Sequence, residues 1–143
     1  MPTLSERIDS LVSKLSVEEK VSLLTGRDFW NTVPIESIGM RNILVSDGPA
    51  GVRGEFWDER DNSLNLPSGT ALGSSWSTAL ATEYGKTLGS EASRKGVDVV
   101  LGPTINLHRS PYGGRHFECL SEDPLLTGSL AAAYTLGIQS TGI

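Results

Sequence analysis

Residues 97–124 read VDVVLGPTINLHRSPYGGRHFECLSEDP, and this stretch decides the fold. It opens on five residues in which valine and leucine surround one aspartate, the composition of a short buried strand. It then passes into a long polar loop holding Asn106, His108, Arg109, Arg115, His116, Glu118, Glu122 and Asp123. It closes on Asp123-Pro124, an N-cap aspartate followed by proline at the first helical position. Strand, polar loop and helix in that order make one βα unit, and α/β enzymes gather ligand contacts in such loops. A second junction of this kind lies upstream, where ILVS at 43–46 feeds Asp47 and the turn-forming run DGPAGVRG. Two such junctions point to a polar-ligand site built from several βα loops.

The flanking segments extend the pattern. Ser77 caps a helix expected to run to about 95 and to close at Gly96. Leu80, Tyr84 and Leu88 form its stripe, with Ala81 and Ala92 beside it. The helix after Pro124 is expected to run to about 139, with Leu126, Leu130 and Tyr134 or Ala133 on its packed side. Between the junctions, WDERDNSLNLP is a polar loop and TALGS at 70–74 reads as a short strand. At the N-terminus, Ile8, Leu11, Val12 and Leu15 predict a helix with one buried face. Ser16 with Glu19 is a capping box that starts a second helix at 17, running to about 24, with Gly26 as its stop. Strands alternating with helices predict an α/β chain with a parallel sheet, in a single partial domain over 1–143 with about three βα units.

Bulk properties exclude several classes. Hydrophobic residues at 38% and charged residues at 20% are globular values, and 143 residues are enough to bury a core. A net charge of −5, with no Lys/Arg block, argues against nucleic acid and anionic membranes as partners. The single cysteine, Cys119, leaves no internal disulfide and no zinc site of ordinary cysteine stoichiometry. His108 and His116 are the only histidines and have no carboxylate at helical spacing, so no metal or cofactor is expected. The run GPAGVRGE lacks the Lys-Ser/Thr of a phosphate-cradling loop, and no GxGxxG or GxSxG motif occurs. The N-terminus has no continuous apolar core of a signal peptide, so the expected location is the cytoplasm.

The candidate site residues carry two readings each. Asp47 is either a turn-former that bonds the backbone two residues on or a carboxylate facing a ligand at a strand mouth. Arg53 and Arg115 are either surface arginines or planar forks gripping oxygens from glycine-rich loops. Glu118 is an acid catalyst or, the favoured reading, the ion-pair partner that holds Arg115.

The segments SDGPAGVRG, LPSGTALGSSW and LGPTINLHRSPYGGRHFECLSEDP together resemble the N-terminal domain of glycoside hydrolase family 3, in particular its β-glucosidases, from about Leu15 onward. The resemblance implies the N-terminal part of a (β/α)8 barrel, not closed within 143 residues, because a full barrel needs about 250. It implies retaining removal of terminal β-glucose, which requires two carboxyl groups about 5 Å apart. It also implies that Asp47, Arg53 and Arg115 bind sugar hydroxyls in the innermost subsite, with Glu118 orienting Arg115. Paired carboxylate and guanidinium groups suit the vicinal hydroxyls of a pyranose. The family's nucleophile and acid/base are expected beyond position 143, so no catalytic residue is assigned in this chain. The implied partners are a β-glucoside or oligosaccharide, the remainder of the barrel and a C-terminal sandwich domain. Two other readings stay open: a non-catalytic sugar-binding module, and one half of a split enzyme.

Overall fold

The computed structural model describes every residue except Trp57. The chain divides into two compact units, Met1–Leu44 and Val45–Ile143.

The first unit is organised by local side-chain caps. Helix α1 (Leu4–Val12) starts with a reciprocal capping box between Thr3 and Glu6, and α2 (Val17–Ser22) with the expected one between Ser16 and Glu19. Each box satisfies orphan amide donors of the first helical turn. Glu19 has a second task, accepting a 2.7 Å hydrogen bond from the Ser37 hydroxyl. The buried face expected for the first helix is not found. No residue of α1 is buried, Ile8, Leu11 and Val12 are exposed, and only Leu15, beyond the helix end, is enclosed. An apolar stripe at helical spacing defines a face but not what covers it. Gly26 is likewise not a helix stop, because α2 ends at Ser22 and Gly26 bridges to Thr32. The Asp28 carboxylate holds this turn by accepting from the amides of Trp30 and Asn31 and from the Asn31 side chain. Those bonds to the charged form, led by the Trp30 amide, lower its pKa to about 2.

The second unit holds the sheet. Strand β1 (Val45–Asp47) pairs in parallel with β2 (Val99–Leu101), in the register Val45↔Val99, Ser46↔Val100 and Asp47↔Leu101. Both strands therefore end at the same level, and the loops after them emerge side by side. TALGS is not a strand: Gly69–Gly73 is a one-turn helix, α3, capped by the Ser68 hydroxyl on the Ala71 amide. Five residues are too few for periodicity to separate helix from strand, and the deciding signal was the serine cap just before them.

Helices α4 (Thr78–Arg94) and α5 (Pro124–Gln139) lie against each other along a seam of glycines. A Cβ at Gly85 would stand 2.1 Å from the Tyr134 carbonyl oxygen, and one at Gly137 2.3 Å from that of Thr82. Only glycine permits this approach of one backbone to another. Leu80, expected in the packed stripe, is exposed. The enclosed positions of α4 are Ala81, Tyr84, Gly85, Leu88, Gly89 and Ala92. On α5, Leu130 and Tyr134 are buried as expected, and the cap is Asp123, which accepts from the Leu125 and Leu126 amides.

Candidate active site

The loop after β1 is fixed from below by hydroxyl groups. Ser46 is fully buried, and its Oγ accepts from the Gly54 amide at 2.9 Å while donating to the Asp47 carbonyl at 2.8 Å. The Arg53 amide closes the same turn onto the Asp47 carbonyl at 3.0 Å. Gly48 has φ +136°, and a Cβ there would meet the Gly51 carbonyl oxygen, so the turn requires glycine. Tyr84 and Tyr134 meet edge to face, with ring centroids 5.1 Å apart. The Tyr134 hydroxyl donates to the Pro49 carbonyl at 2.9 Å, and that of Tyr84 donates to the Pro67 carbonyl at 2.7 Å. Burial pushes both phenols up, Tyr84 to about 12, so they remain donors throughout the neutral range. The helix pair thereby holds the turn that carries Asp47.

The loop after β2 is fixed by α3. The Thr70 hydroxyl lies 3.0 and 3.1 Å from the carbonyl oxygens of His116 and Cys119. Gly69 and Gly73 bring the α3 backbone against the carbonyls of Glu118 and Leu120, at distances no side chain would allow. On this support Arg115 and Glu118 form a two-pronged ion pair, Nε to Oε1 at 2.9 Å and Nη2 to Oε2 at 2.7 Å. The Glu118 side chain is 14% exposed and that of Arg115 77%, so the carboxylate anchors and the guanidinium reaches out. Arg115 holds the Glu118 carboxyl below its usual range, against the opposing effect of desolvation. The Arg115 guanidinium is raised, first by Glu118 and to a smaller extent by the charge of Asp47.

Asp47, Arg115, Phe117 and Glu118 line one open cleft of about 270 Å³, with Ser68 and Asn65 on its wall and the Gly48–Gly51 turn as its floor. Small-molecule pockets begin at roughly 300 Å³, so this space lies at the small end of that range. The sequence-predicted residues are thus brought together in part. Asp47, Arg115 and Glu118 share the cleft, whereas Arg53 is exposed and does not line it. Asn65, Ser68 and Phe117 were missed, since nothing in a polar loop marks which members face inward.

The model of the glycosyl hydrolase family 3 N-terminal domain matches residues 16–143. The chain belongs to glycosyl hydrolase family 3. Among similar proteins, a β-glucosidase of Rhizobium radiobacter is 47% identical over 137 residues, which are 95% of this family 3 chain and 17% of that enzyme. The crystal structure of a β-glucosidase from Kluyveromyces marxianus in complex with glucose superposes with a TM-score of 0.90 at 42% identity, over 95% of this chain and 16% of that one. β-Glucosidase 3B from Thermotoga neapolitana in complex with α-D-glucose gives 0.87 at 35% identity, over 96% and 22%. The chain spans less than a fifth of the curated relatives it matches. Its parallel, unclosed α/β arrangement corresponds to part of the family's barrel domain. None of its described helices is long and apolar enough to cross a membrane.

Proposed function

We propose that this family 3 chain contributes part of the innermost glucose subsite of a retaining β-glucosidase, without either catalytic carboxyl group. The observation that carries the proposal is the meeting of Asp47, Arg115 and Glu118 in one cleft where the two parallel strands end. Asp47 accepts from one sugar hydroxyl. Arg115, pre-oriented by Glu118, donates to a neighbouring one, and the planar ion pair fixes the spacing between them. A site that bonds particular hydroxyls rejects sugars that lack them. Arg53 contributes through its backbone amide, which closes the turn on Asp47.

Retaining hydrolysis needs a second carboxyl about 5 Å from the first across the scissile bond. Glu118 is engaged by both prongs of Arg115, and Asp123 caps α5, so neither is free to attack or to protonate. The chain by itself therefore binds sugar weakly and leaves glucosides intact. Activity requires further barrel strands and a sandwich domain, supplied in one longer polypeptide or by a second one. Val99 and Leu101 on β2, 42% and 50% exposed, and Ile105 beyond them form the surface those strands cover. Left open, that surface makes the isolated chain prone to self-association.

The test is amide chemical-shift mapping with glucose, in parallel with an aryl β-glucoside assay. The expected result is shifts confined to the 47–54 and 115–118 segments, abolished by Asp47→Asn or Arg115→Lys, and no release of nitrophenol. Nitrophenol released by the purified 143-residue chain contradicts the proposal. So does glucose binding that both substitutions leave intact.

A further inference from the structure

The loop that carries Arg115 and Glu118 also gathers the only two histidines and the only cysteine of the chain. One ring nitrogen of His108, one of His116 and the sulfur of Cys119 lie within 4.8 Å of one another. Spacing along the chain gives no hint of this. The cluster exists because the loop doubles back, with Thr104 bridging in parallel to Cys119 and the His108 amide bonding the Ser121 carbonyl.

The hydrogen bonds of the two imidazoles give the cluster its chemistry. His108 Nε2 lies 2.8 Å from the His116 carbonyl oxygen, and His116 Nε2 is bonded to the Ser110 carbonyl oxygen. A carbonyl only accepts, so each Nε2 carries the hydrogen and each Nδ1 keeps a lone pair. This is how metal-binding histidines are held: one ring N–H on a backbone carbonyl, the other nitrogen directed to the ion. The two rings are not stacked face to face. They meet at 65° with centroids 5.0 Å apart.

We propose that His108, His116 and Cys119 form a binding site for a borderline-soft divalent cation of the zinc class. Two imidazole nitrogens and a thiolate are the donor set such ions prefer over calcium or magnesium, which take oxygen ligands. Donors around a tetrahedral ion of this kind stand roughly 3.3–3.8 Å apart. Binding therefore draws the three groups together by about 1 Å, and solvent fills the fourth position. Cys119 releases its thiol proton to solvent as the bond to the metal forms. Access is from the cleft that His116 and Cys119 line with Thr104 and Asn106. A bound ion clamps residues 108 and 119 on either side of Arg115, and so sets the mobility of the guanidinium.

The experiment is titration of the 143-residue chain with Co²⁺ alone, followed by absorption spectroscopy. The expected spectrum has a thiolate-to-cobalt charge-transfer band and the visible bands of a tetrahedral ion, both removed when Zn²⁺ is added. Cys119→Ser should erase the charge-transfer band. His108→Ala and His116→Ala should each weaken Zn²⁺ binding by at least about tenfold, the scale seen even when only a supporting group is lost. Retention of Zn²⁺ affinity by Cys119→Ser with both histidine variants also unchanged overturns the site. Absence of the sulfur band in the wild-type chain overturns it without recourse to any variant.

Discussion

The seam between α4 and α5 makes a prediction that local sequence preferences oppose. Gly128 and Gly137 both lie in α5, and in an isolated helix replacing either by alanine would gain about 0.8–1.0 kcal/mol. Their surroundings differ. A Cβ at Gly128 meets nothing within 4 Å, whereas one at Gly137 stands 2.3 Å from the Thr82 carbonyl oxygen and 3.0 Å from the Gly85 Cα. Ordinary contact begins at 3.4 Å, so the helices must part by about 1 Å to admit the methyl group. Overpacking of this kind costs about 1–3 kcal/mol, and the obstacle here is backbone, which cannot rotate aside. Because both substitutions share the same helical gain, subtracting one from the other isolates the packing cost. We expect Gly128→Ala to stabilise by up to about 1 kcal/mol and Gly137→Ala to fall about 1–3 kcal/mol below it. Urea denaturation followed by circular dichroism measures both. Values agreeing within about 0.5 kcal/mol would show that the helices do not approach as described.

Two further outcomes follow from the polar contacts. Tyr134→Phe removes the 2.9 Å hydrogen bond to the Pro49 carbonyl and should cost about 1 kcal/mol, while broadening the amide resonances of the 48–51 turn; an unchanged turn would refute the role given to the helix pair. Asp28 and Glu118 both have lowered pKa values, so the folded state gains from their ionised forms. Their contribution is complete above their ordinary values of 3.8 and 4.5 and is lost as pH falls through the lower folded ones, near 2 for Asp28, which carboxyl-carbon NMR titration would read directly.

What the sequence disclosed was mostly local. The caps at Ser16, Ser77 and Asp123 were legible because a cap is decided by a few neighbouring residues. The i, i+3 pairing of Arg115 with Glu118 was legible for the same reason. The glycines of the α4–α5 seam were not, since the backbone that excludes a side chain at Gly85 belongs to Tyr134, far along the chain. The convergence of Asp47 with Arg115 depends on the register of β1 against β2, which places Asp47 opposite Leu101 at the head of the second loop. The sequence also argued against any metal site, because the two histidines have no carboxylate at helical spacing and there is a single cysteine. Only the reversal of the loop brings them together.

The short helix behind Arg115 meets its neighbour through the Thr70 hydroxyl and through two glycines, Gly69 and Gly73, seated on the carbonyls of Glu118 and Leu120. A saturation scan of this corner should therefore look inverted. Side chains lining the cleft should accept conservative replacement with graded loss, while Gly69 and Gly73, where an added Cβ would meet backbone carbonyls, should accept none. Attempts to reshape this corner will keep its framework only if both remain glycine.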